Sequence, residues 1–262
     1  MSYDLAVFDK KKAPVHLAEF LKWYEKQTEW EGDYDYNDIS HASVNLQRFF
    51  EEVKQIFPPM NGEFAPDDQE LEDNPDLEER LCDYCIGEDM IYLSFAYSMS
   101  GRAYDIIKRA AVFSDVGFFA PGEEEGPVCF DSRYPMILEG EWFPPQRVSD
   151  FNSICGILDQ MTAKKRSYLY FTDPTGSYIQ VGGYKNAFTV ERRIYTGIMS
   201  YSHQKAGYAA SENEGKDSYV MIAQNRVQVK LHQVLSKDAA KQLCRDFFEG
   251  QETADFITWT DM

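Results

Sequence analysis

The chain has 262 residues, of which 44% are hydrophobic and 15% aromatic, and its formal net charge is −18. This composition supplies a core and excludes a disordered chain, and no apolar run reaches the roughly 18 residues that a transmembrane helix needs. The acidic charge also argues against direct nucleic-acid binding, which requires clustered basic residues. The first residues lack a basic segment followed by an apolar one, so we expect no signal peptide and a cytoplasmic location.

The first 120 residues predict an acidic α+β module with the element order β-α-α-β-α-β. Alternating apolar residues indicate strands, and apolar residues three and four positions apart indicate helices. Pro58 and Pro59 end the second helix, because proline cannot donate to the helical hydrogen bonds. We predict a strand at 2–8, helices from Ala13-Pro14 and at 43–57, a loop at 60–75, a short helix at 76–86, a central strand at 90–99, a helix at 101–114 and a strand at 116–119.

A segment rich in proline and glycine at 121–127 (PGEEEGP) predicts a linker between two modules. The rest of the chain predicts an antiparallel β-meander with flanking helices, because turn residues separate short alternating runs. We expect one or two strands at 128–143, a helix at 148–162 after Pro144-Pro145, strands at 167–172, 178–184 and 188–195, a loop at 201–217, a hairpin at 219–231, a helix capped by Ser236 and an edge strand at 256–259. The predicted fold class is therefore α+β, with modules at 1–120 and 128–262.

Five cysteines, an odd number without a signal peptide, predict reduced thiols. Cys82 and Cys85 have the CxxC spacing, but a structural zinc site needs a second pair or two well-placed histidines. The chain has no second pair, and its four histidines are scattered. We therefore predict two ordinary thiols on a helical turn, with no metal or other cofactor.

Most of the negative charge lies in one stretch of the sequence. Residues 29–89 contain 19 acidic and three basic residues, a net charge of −16, whereas the rest of the chain has 25 acidic and 23 basic residues, a net charge of −2. The acids form a first arm at 29–38 and a second arm at 63–89, with a predicted helix between them. Because packed like charges repel one another, we expect either a solvated surface kept for solubility or a docking surface for a basic protein.

Aromatic residues are interspersed among these acids, and aromatic anchors are typical of protein interfaces. Complementary charge would also speed the encounter with a basic partner. The candidate partner-binding residues are Glu29, Trp30, Glu31, Asp33, Tyr34, Asp35, Tyr36, Asp38, Glu63, Phe64, Asp67, Asp68, Glu70, Glu72, Asp73 and Tyr84.

No nucleotide-binding loop, nucleophile elbow or zinc-protease motif occurs in the sequence. Residues 33–38 (DYDYND) begin like a calcium loop, but that loop needs glycine at its sixth position and glutamate at its twelfth, where this chain has Asp38 and Val44. We therefore expect no catalytic residues and no enzymatic activity. Two alternatives stay open: a divalent-metal-dependent enzyme that uses the acids at 33–38, and a non-catalytic scaffold that self-associates, for example as a homodimer.

Several segments resemble bacterial immunity proteins of polymorphic-toxin and type VI secretion effector–immunity pairs. The resemblance rests on residues 2–9 (SYDLAVFD), 22–30 (KWYEKQTEW) and 57–62 (FPPMNG), and on residues 178–191 (YIQVGGYKNAFTVE), which are similar to the β-meander of such proteins. It implies a cytoplasmic protein that binds a cognate secreted toxin and occludes its active cleft. The expected partner is therefore a basic effector domain, with neither nucleic acid nor membrane involved.

Overall fold

The structure is a computed structural model that describes residues 2–123, 126–130, 136–209 and 215–262. Backbone contacts divide the chain into two compact units, Met1–Ser132 and Arg133–Met262. This division lies a few residues beyond the expected linker, because two backbone hydrogen bonds join Val128 to Phe118 within the first unit. Each unit combines helices with antiparallel sheet, which confirms the α+β prediction.

The first unit is built around one antiparallel sheet with the strand order β2-β3-β1-β4. Its elements are β1 (Ser2–Phe8), α1 (Leu17–Gln27), α2 (Val44–Val53), α3 (Asp68–Asp73), α4 (Asp76–Glu79), β2 (Cys82–Ile86), β3 (Met90–Ala96), α5 (Ser100–Ser114) and β4 (Gly117–Phe119). Strands β1 and β3 pair along their whole length, from Ser2 opposite Ala96 to Phe8 opposite Met90. The predicted central strand is thereby confirmed.

Aromatic and aliphatic side chains fill the core of the first unit. Helix α2 packs against α5 and buries one stripe of residues, including Leu46, Phe49 and Phe50. On α1, Phe20 is buried against Phe8 of β1, with ring centroids 4.9 Å apart. Each such side chain contributes about 1.5–3 kcal/mol through the removal of apolar surface from water. The resulting frame holds the first arm between α1 and α2, and the second arm between α2 and β3.

The second unit contains a seven-stranded antiparallel sheet with the order β13-β10-β9-β8-β7-β5-β6 and a separate hairpin. Its elements are β5 (Met136–Gly140), β6 (Phe143–Val148), α6 (Phe151–Asp159), β7 (Tyr168–Thr172), β8 (Tyr178–Tyr184), β9 (Ala187–Tyr195), β10 (Tyr201–Tyr208), β11 (Asp217–Ile222), β12 (Asn225–Lys230), α7 (Lys237–Glu249) and β13 (Ile257–Asp261). Helices α6 and α7 contact each other and share one apolar core with the sheet, which includes Leu158, Phe171 and Leu243.

Residues 82–86 form strand β2, so the predicted short helix ends earlier, at α4. Burial alternates along this strand: Cys82, Tyr84 and Ile86 are buried, whereas Asp83 is exposed. The prediction that Cys82 and Cys85 lie on a helical turn is therefore wrong, and their side chains point to opposite faces of the sheet. The expected loop at 60–75 is also interrupted, because α3 forms within it.

Residues 201–208 form strand β10, where the sequence predicted a loop. Gly207 permits a close approach there, because a Cβ atom at this position would lie 2.4 Å from the His232 ring. Helix α6 (Phe151–Asp159) confirms the helix predicted after Pro144-Pro145. The two prolines themselves lie within β6, an edge strand that tolerates them because one of its sides has no partner. No helix in the described ranges is long and apolar enough to cross a membrane.

Candidate functional site

The first arm, residues 29–38, connects α1 to a short 3-10 helix, and its own carboxylates hold its turns. The Asp35 side chain accepts a hydrogen bond from the backbone N–H of Asn37 at 2.9 Å, and Asp38 accepts one from Ser40 at 2.8 Å. The second bond caps the 3-10 helix. Hydrogen bonds from Ser40 lower the pKa of Asp38 below its ordinary value. The first arm is therefore an ordered loop that presents acids.

The second arm, residues 63–89, contains α3, α4 and β2. Helix α3 begins with a capping box: Asp67 accepts a hydrogen bond from the N–H of Glu70 at 2.8 Å, and Glu70 accepts one from the N–H of Asp67 at 3.0 Å. These bonds satisfy N–H groups that the start of a helix leaves without partners. In contrast, the side chains of Glu63 and Glu72 form no hydrogen bond or ion pair with any residue that the structure describes. The charge of these two residues is therefore not explained by local structure.

The two arms lie next to each other in the first unit. The N–H of Ile86 in the second arm donates to the carbonyl oxygen of Tyr36 in the first arm at 2.9 Å. Immediately before the second arm, a Cβ atom built on Gly62 would lie 3.1 Å from the Cβ atom of Asn37. We call the eleven exposed acids of the two arms that the sequence predicted as partner-binding the acidic surface: Glu29, Glu31, Asp33, Asp35, Asp38, Glu63, Asp67, Asp68, Glu70, Glu72 and Asp73.

The acids of the acidic surface form no ion pair with any residue that the structure describes. The three basic residues of the same stretch bind other groups. Lys54 forms an ion pair with Glu51, and the guanidinium groups of Arg48 and Arg80 donate to backbone carbonyl oxygens. The negative potential of this surface is therefore not neutralised within the described chain.

The aromatic side chains of the first arm are half-buried at the edge of the acidic surface. Trp30 packs edge-on against Tyr36 and Tyr92, with ring centroids 5.3 and 6.0 Å apart. Tyr34 packs against His41 at 4.1 Å. These contacts fix the rings while part of each remains exposed, which is the arrangement of a preformed anchor.

The two predicted rings of the second arm differ in position. Phe64 is 40% exposed, and the Lys54 ammonium lies 3.4 Å from the centroid of its ring. Tyr84 is only 4% exposed, and its hydroxyl donates to the carbonyl oxygen of Phe57 at 2.7 Å. Burial raises the pKa of Tyr84 well above its ordinary value. Tyr84 is therefore a core residue that is not part of the exposed surface, because its position in β2 turns it toward the interior.

Comparisons with family models, with curated proteins and with solved structures find no match for this chain. The roles of the arm residues rest on their exposure, charge and contacts.

Metal-ligand geometry does not occur in the described ranges, where no group of three or more His, Cys, Asp or Glu side chains could hold a metal ion. The oxygens of Asp35 and Asp38 instead accept hydrogen bonds from neighbouring residues. Cys82 and Cys85 lie on β2, and burial raises the pKa of both thiols. Both thiols are protonated at neutral pH and are poor nucleophiles. Within the part of the chain that the structure describes, no geometry favours the metal-dependent alternative.

A cleft of about 540 Å³ in the first unit was not predicted from the sequence. It is lined by Tyr3, Tyr97, Tyr104, Asp105 and Glu123, together with the start of α5. The Tyr3 hydroxyl donates to Glu123 at 3.4 Å, and burial, with the nearby Glu123 carboxylate, raises the pKa of Tyr3 to about 12. In the sequence, the only sign of this cleft is that Tyr97, Tyr104 and Asp105 lie close to the predicted start of α5. The cleft is therefore a second place in the first unit where tyrosine and acidic side chains lie together.

Proposed function

We propose that this chain is a cytoplasmic immunity protein that binds a secreted toxin through the acidic surface and covers the toxin's basic cleft. It acts as a stoichiometric inhibitor and performs no chemistry of its own. One observation carries the proposal: eleven exposed carboxylates have no ion pair in the described chain, while Arg48, Lys54 and Arg80 bind other groups.

Electrostatics favours a protein partner over a purely solubilising role. Clustered like charges repel each other and cost folding free energy, so a surface of this kind destabilises the free chain. A basic partner removes this cost when it binds. Its positive charges are attracted to the acidic surface within about 8–10 Å, which is the distance over which salt screens charges at physiological ionic strength. Steering of this kind raises association rates by about 10- to 1,000-fold.

The rings beside the acids supply the contact area that charge alone lacks. Trp30, Tyr34 and Tyr36 are held by contacts with other rings, so little side-chain freedom is lost when a partner covers them. Aromatic anchors of this kind account for most of the binding free energy in many interfaces. The acids therefore set the association rate, and the rings set the lifetime of the complex.

The identity of the partner as a toxin rests on the resemblance of the sequence to immunity proteins. A toxin that cleaves nucleic acid or binds nucleotides needs a basic cleft for phosphate groups. An acidic surface can occupy such a cleft in place of phosphate. The resemblance and the charge of the surface thus point to the same class of partner by separate routes.

The test uses two triple variants with the same change in net charge. The arm variant carries Glu31→Gln, Asp33→Asn and Glu63→Gln, and the control variant carries Asp238→Asn, Glu252→Gln and Asp255→Asn in the second unit. All six acids are exposed, and none has an ion pair in the described chain. The wild-type chain and both variants serve as bait for the products of neighbouring genes. Binding rates are then measured at low and high salt, and protection of cells is measured against the captured protein.

We expect the wild-type chain and the control variant to bind one basic protein and to protect cells from it. The arm variant should associate about tenfold more slowly at low salt, and the difference should shrink at high salt. Equal association rates for the two variants would contradict the role of the acidic surface. A captured partner that is not toxic would contradict the assignment as an immunity protein.

A further inference from the structure

A second candidate site lies in the second unit, on the face of the sheet that α7 covers. A cavity of about 370 Å³ opens there between α7, the segment that follows it, and strands β8, β9, β10 and β13. Cavities of about 300–1,000 Å³ with apolar walls and a few polar groups are typical of small-molecule sites. The walls of this one combine the apolar side chains Leu243, Phe247 and Trp259 with the charged side chains Arg192 and Asp246.

Asp246 is a buried carboxylate with one unused oxygen. The residue is only 4% exposed, and Gln242 donates a hydrogen bond to its Oδ1 atom at 2.7 Å. Its Oδ2 atom is buried and has no hydrogen-bond partner among the described residues. Such a group is costly to bury. Asp246 also lies in the last turn of α7, where the helix dipole disfavours negative charge. Packing and helix stability therefore do not explain this carboxylate.

Arg192 places a fixed guanidinium group on the sheet side of the same cavity. The Cζ atom of this group lies 3.9 Å from the ring centroid of Trp259. The Nε and Nη2 atoms donate to the Gln204 side chain at 3.1 and 2.9 Å, and Nη1 donates to the Thr253 hydroxyl at 3.4 Å. A guanidinium group has five N–H donors, so these bonds leave two of them for a ligand. Arginine binds carboxylates well because its donors form a planar fork.

We propose that this cavity binds a small zwitterion of the amino-acid or dipeptide class. The ligand's ammonium group donates to the Oδ2 atom of Asp246, its carboxylate accepts from the free N–H groups of Arg192, and its apolar side chain packs against Phe247 and Trp259. This arrangement gives the unused oxygen of Asp246 a hydrogen-bond donor. It also places the positive end of the ligand against Asp246 and the negative end against Arg192. The inference is independent of the acidic surface, which belongs to the first unit.

The selectivity of the wild-type full-length chain is the first test. L-Phenylalanine, L-leucine and the dipeptide L-leucyl-L-leucine are the zwitterionic probes, and phenethylamine and 3-phenylpropanoate are matched probes with one charge each. Isothermal titration calorimetry measures their affinities, and differential scanning calorimetry measures the midpoint of unfolding. We expect at least one zwitterion to bind at least tenfold more tightly than both single-charge probes and to raise the unfolding temperature.

Variants then test the two wall residues. Asp246→Asn and Arg192→Gln should each weaken binding of the best zwitterion at least tenfold, whereas Asp238→Asn, an exposed change on the same helix, should leave it unchanged. Failure of all three zwitterions to bind at millimolar concentration would overturn the proposal. Tighter binding of phenethylamine than of L-phenylalanine would replace the zwitterion with a simple amine. These wild-type results hold even where a variant proves unstable.

Discussion

Several acidic side chains in the second unit pair with cations of the same unit, whereas none of the eleven acids of the acidic surface in the first unit does so among the described residues. Asp159 binds both Lys237 and Lys241, at 3.3 and 2.8 Å. Glu191 on β9 binds Lys205 on β10 at 2.9 Å. The eleven acids of the acidic surface have no such contact in the part of the chain that the structure describes.

The difference is one of concentration: in the described ranges, unpaired acids such as Asp238 also occur in the second unit, but eleven of them lie in the two arms of the first unit. Strands and helices of the second unit bring acids and bases from distant parts of the sequence together, so pairing is within reach of this fold. In the stretch that carries the acidic surface, Arg48 and Arg80 donate to backbone carbonyl oxygens and Lys54 pairs with Glu51 instead. Exposed ion pairs contribute only about 0.2–1 kcal/mol each, so the contrast concerns binding more than stability.

The largest effect on stability is expected at Tyr84, a core residue in the second arm. Tyr84→Phe removes the hydroxyl that donates to the Phe57 carbonyl and leaves a buried acceptor without a partner. We expect the free energy of unfolding of the first unit to fall by about 1–3 kcal/mol. Urea denaturation, with hydrogen exchange to localise the change, measures this loss. Tyr97→Phe, at a 60% exposed residue, is the control and should change little.

The same variant also tests whether binding at the acidic surface depends on the core beneath it. Tyr84 contributes no exposed area, so Tyr84→Phe should leave the association rate with the basic partner unchanged under conditions where the chain is folded. Slower association for this variant than for the control would show that the edge of the acidic surface depends on the core beneath it.

Phe64 is expected to give the next largest effect, because its ring serves two roles. It covers the Lys54 ammonium at 3.4 Å and leaves 40% of its surface exposed. Phe64→Ala should lower the stability of the first unit by about 1 kcal/mol through loss of the cation–π contact. It should also speed dissociation of the partner without changing its salt-dependent association rate. Met60→Ala, which removes another exposed apolar side chain nearby, is the control, and faster dissociation from both variants would remove the special role of the ring.

Strong apolar patterns in the sequence predicted most of the fold, and local charge obscured the rest. The stripe at Leu46, Phe49 and Phe50 marked α2, because nothing else explains that spacing. Strand β2 was hidden because the acids of α4 precede it and because its alternation covers only three buried residues, including Cys82. Strand β10 was hidden because its residues are polar: in the sheet they form ion pairs, such as that of Lys205, rather than an apolar stripe.

The acidic surface could be predicted as a composition but not as a geometry. The count of charges in residues 29–89 identified the acids, whereas the burial of Tyr84 required the pairing of β2 with β3. The cavity beside Asp246 depends on α7 and on four strands, β8, β9, β10 and β13, some of which are distant from α7 in the sequence. Single residues such as Arg192 carry no local signal of such a site, because their neighbours in space are distant in sequence.

The smallest expected effect tests the contrast between paired and unpaired acids directly. Asp159→Ala should lower the stability of the second unit by about 0.5–1 kcal/mol, because it removes the partner of Lys237 and Lys241. Asp33→Ala in the acidic surface should cost nothing or stabilise the first unit slightly, because it removes only repulsion. Hydrogen exchange measures the two units separately in the same experiment, and an equal loss from both changes would contradict the contrast.

The stability difference between wild type and Asp159→Ala should also depend on pH. Hydrogen bonds and charge from Lys241 and Lys237 lower the pKa of Asp159 below its ordinary value of 3.8. A carboxyl group with a lowered pKa in the folded state stabilises that state above its unfolded pKa. The difference between wild type and Asp159→Ala should therefore be full at pH 7, should start to fall below about pH 4, and should vanish as the pH falls through the lowered pKa of Asp159 in the folded state. A difference that persists at lower pH would mean that the Asp159 side chain stabilises the helix ends by packing rather than by charge.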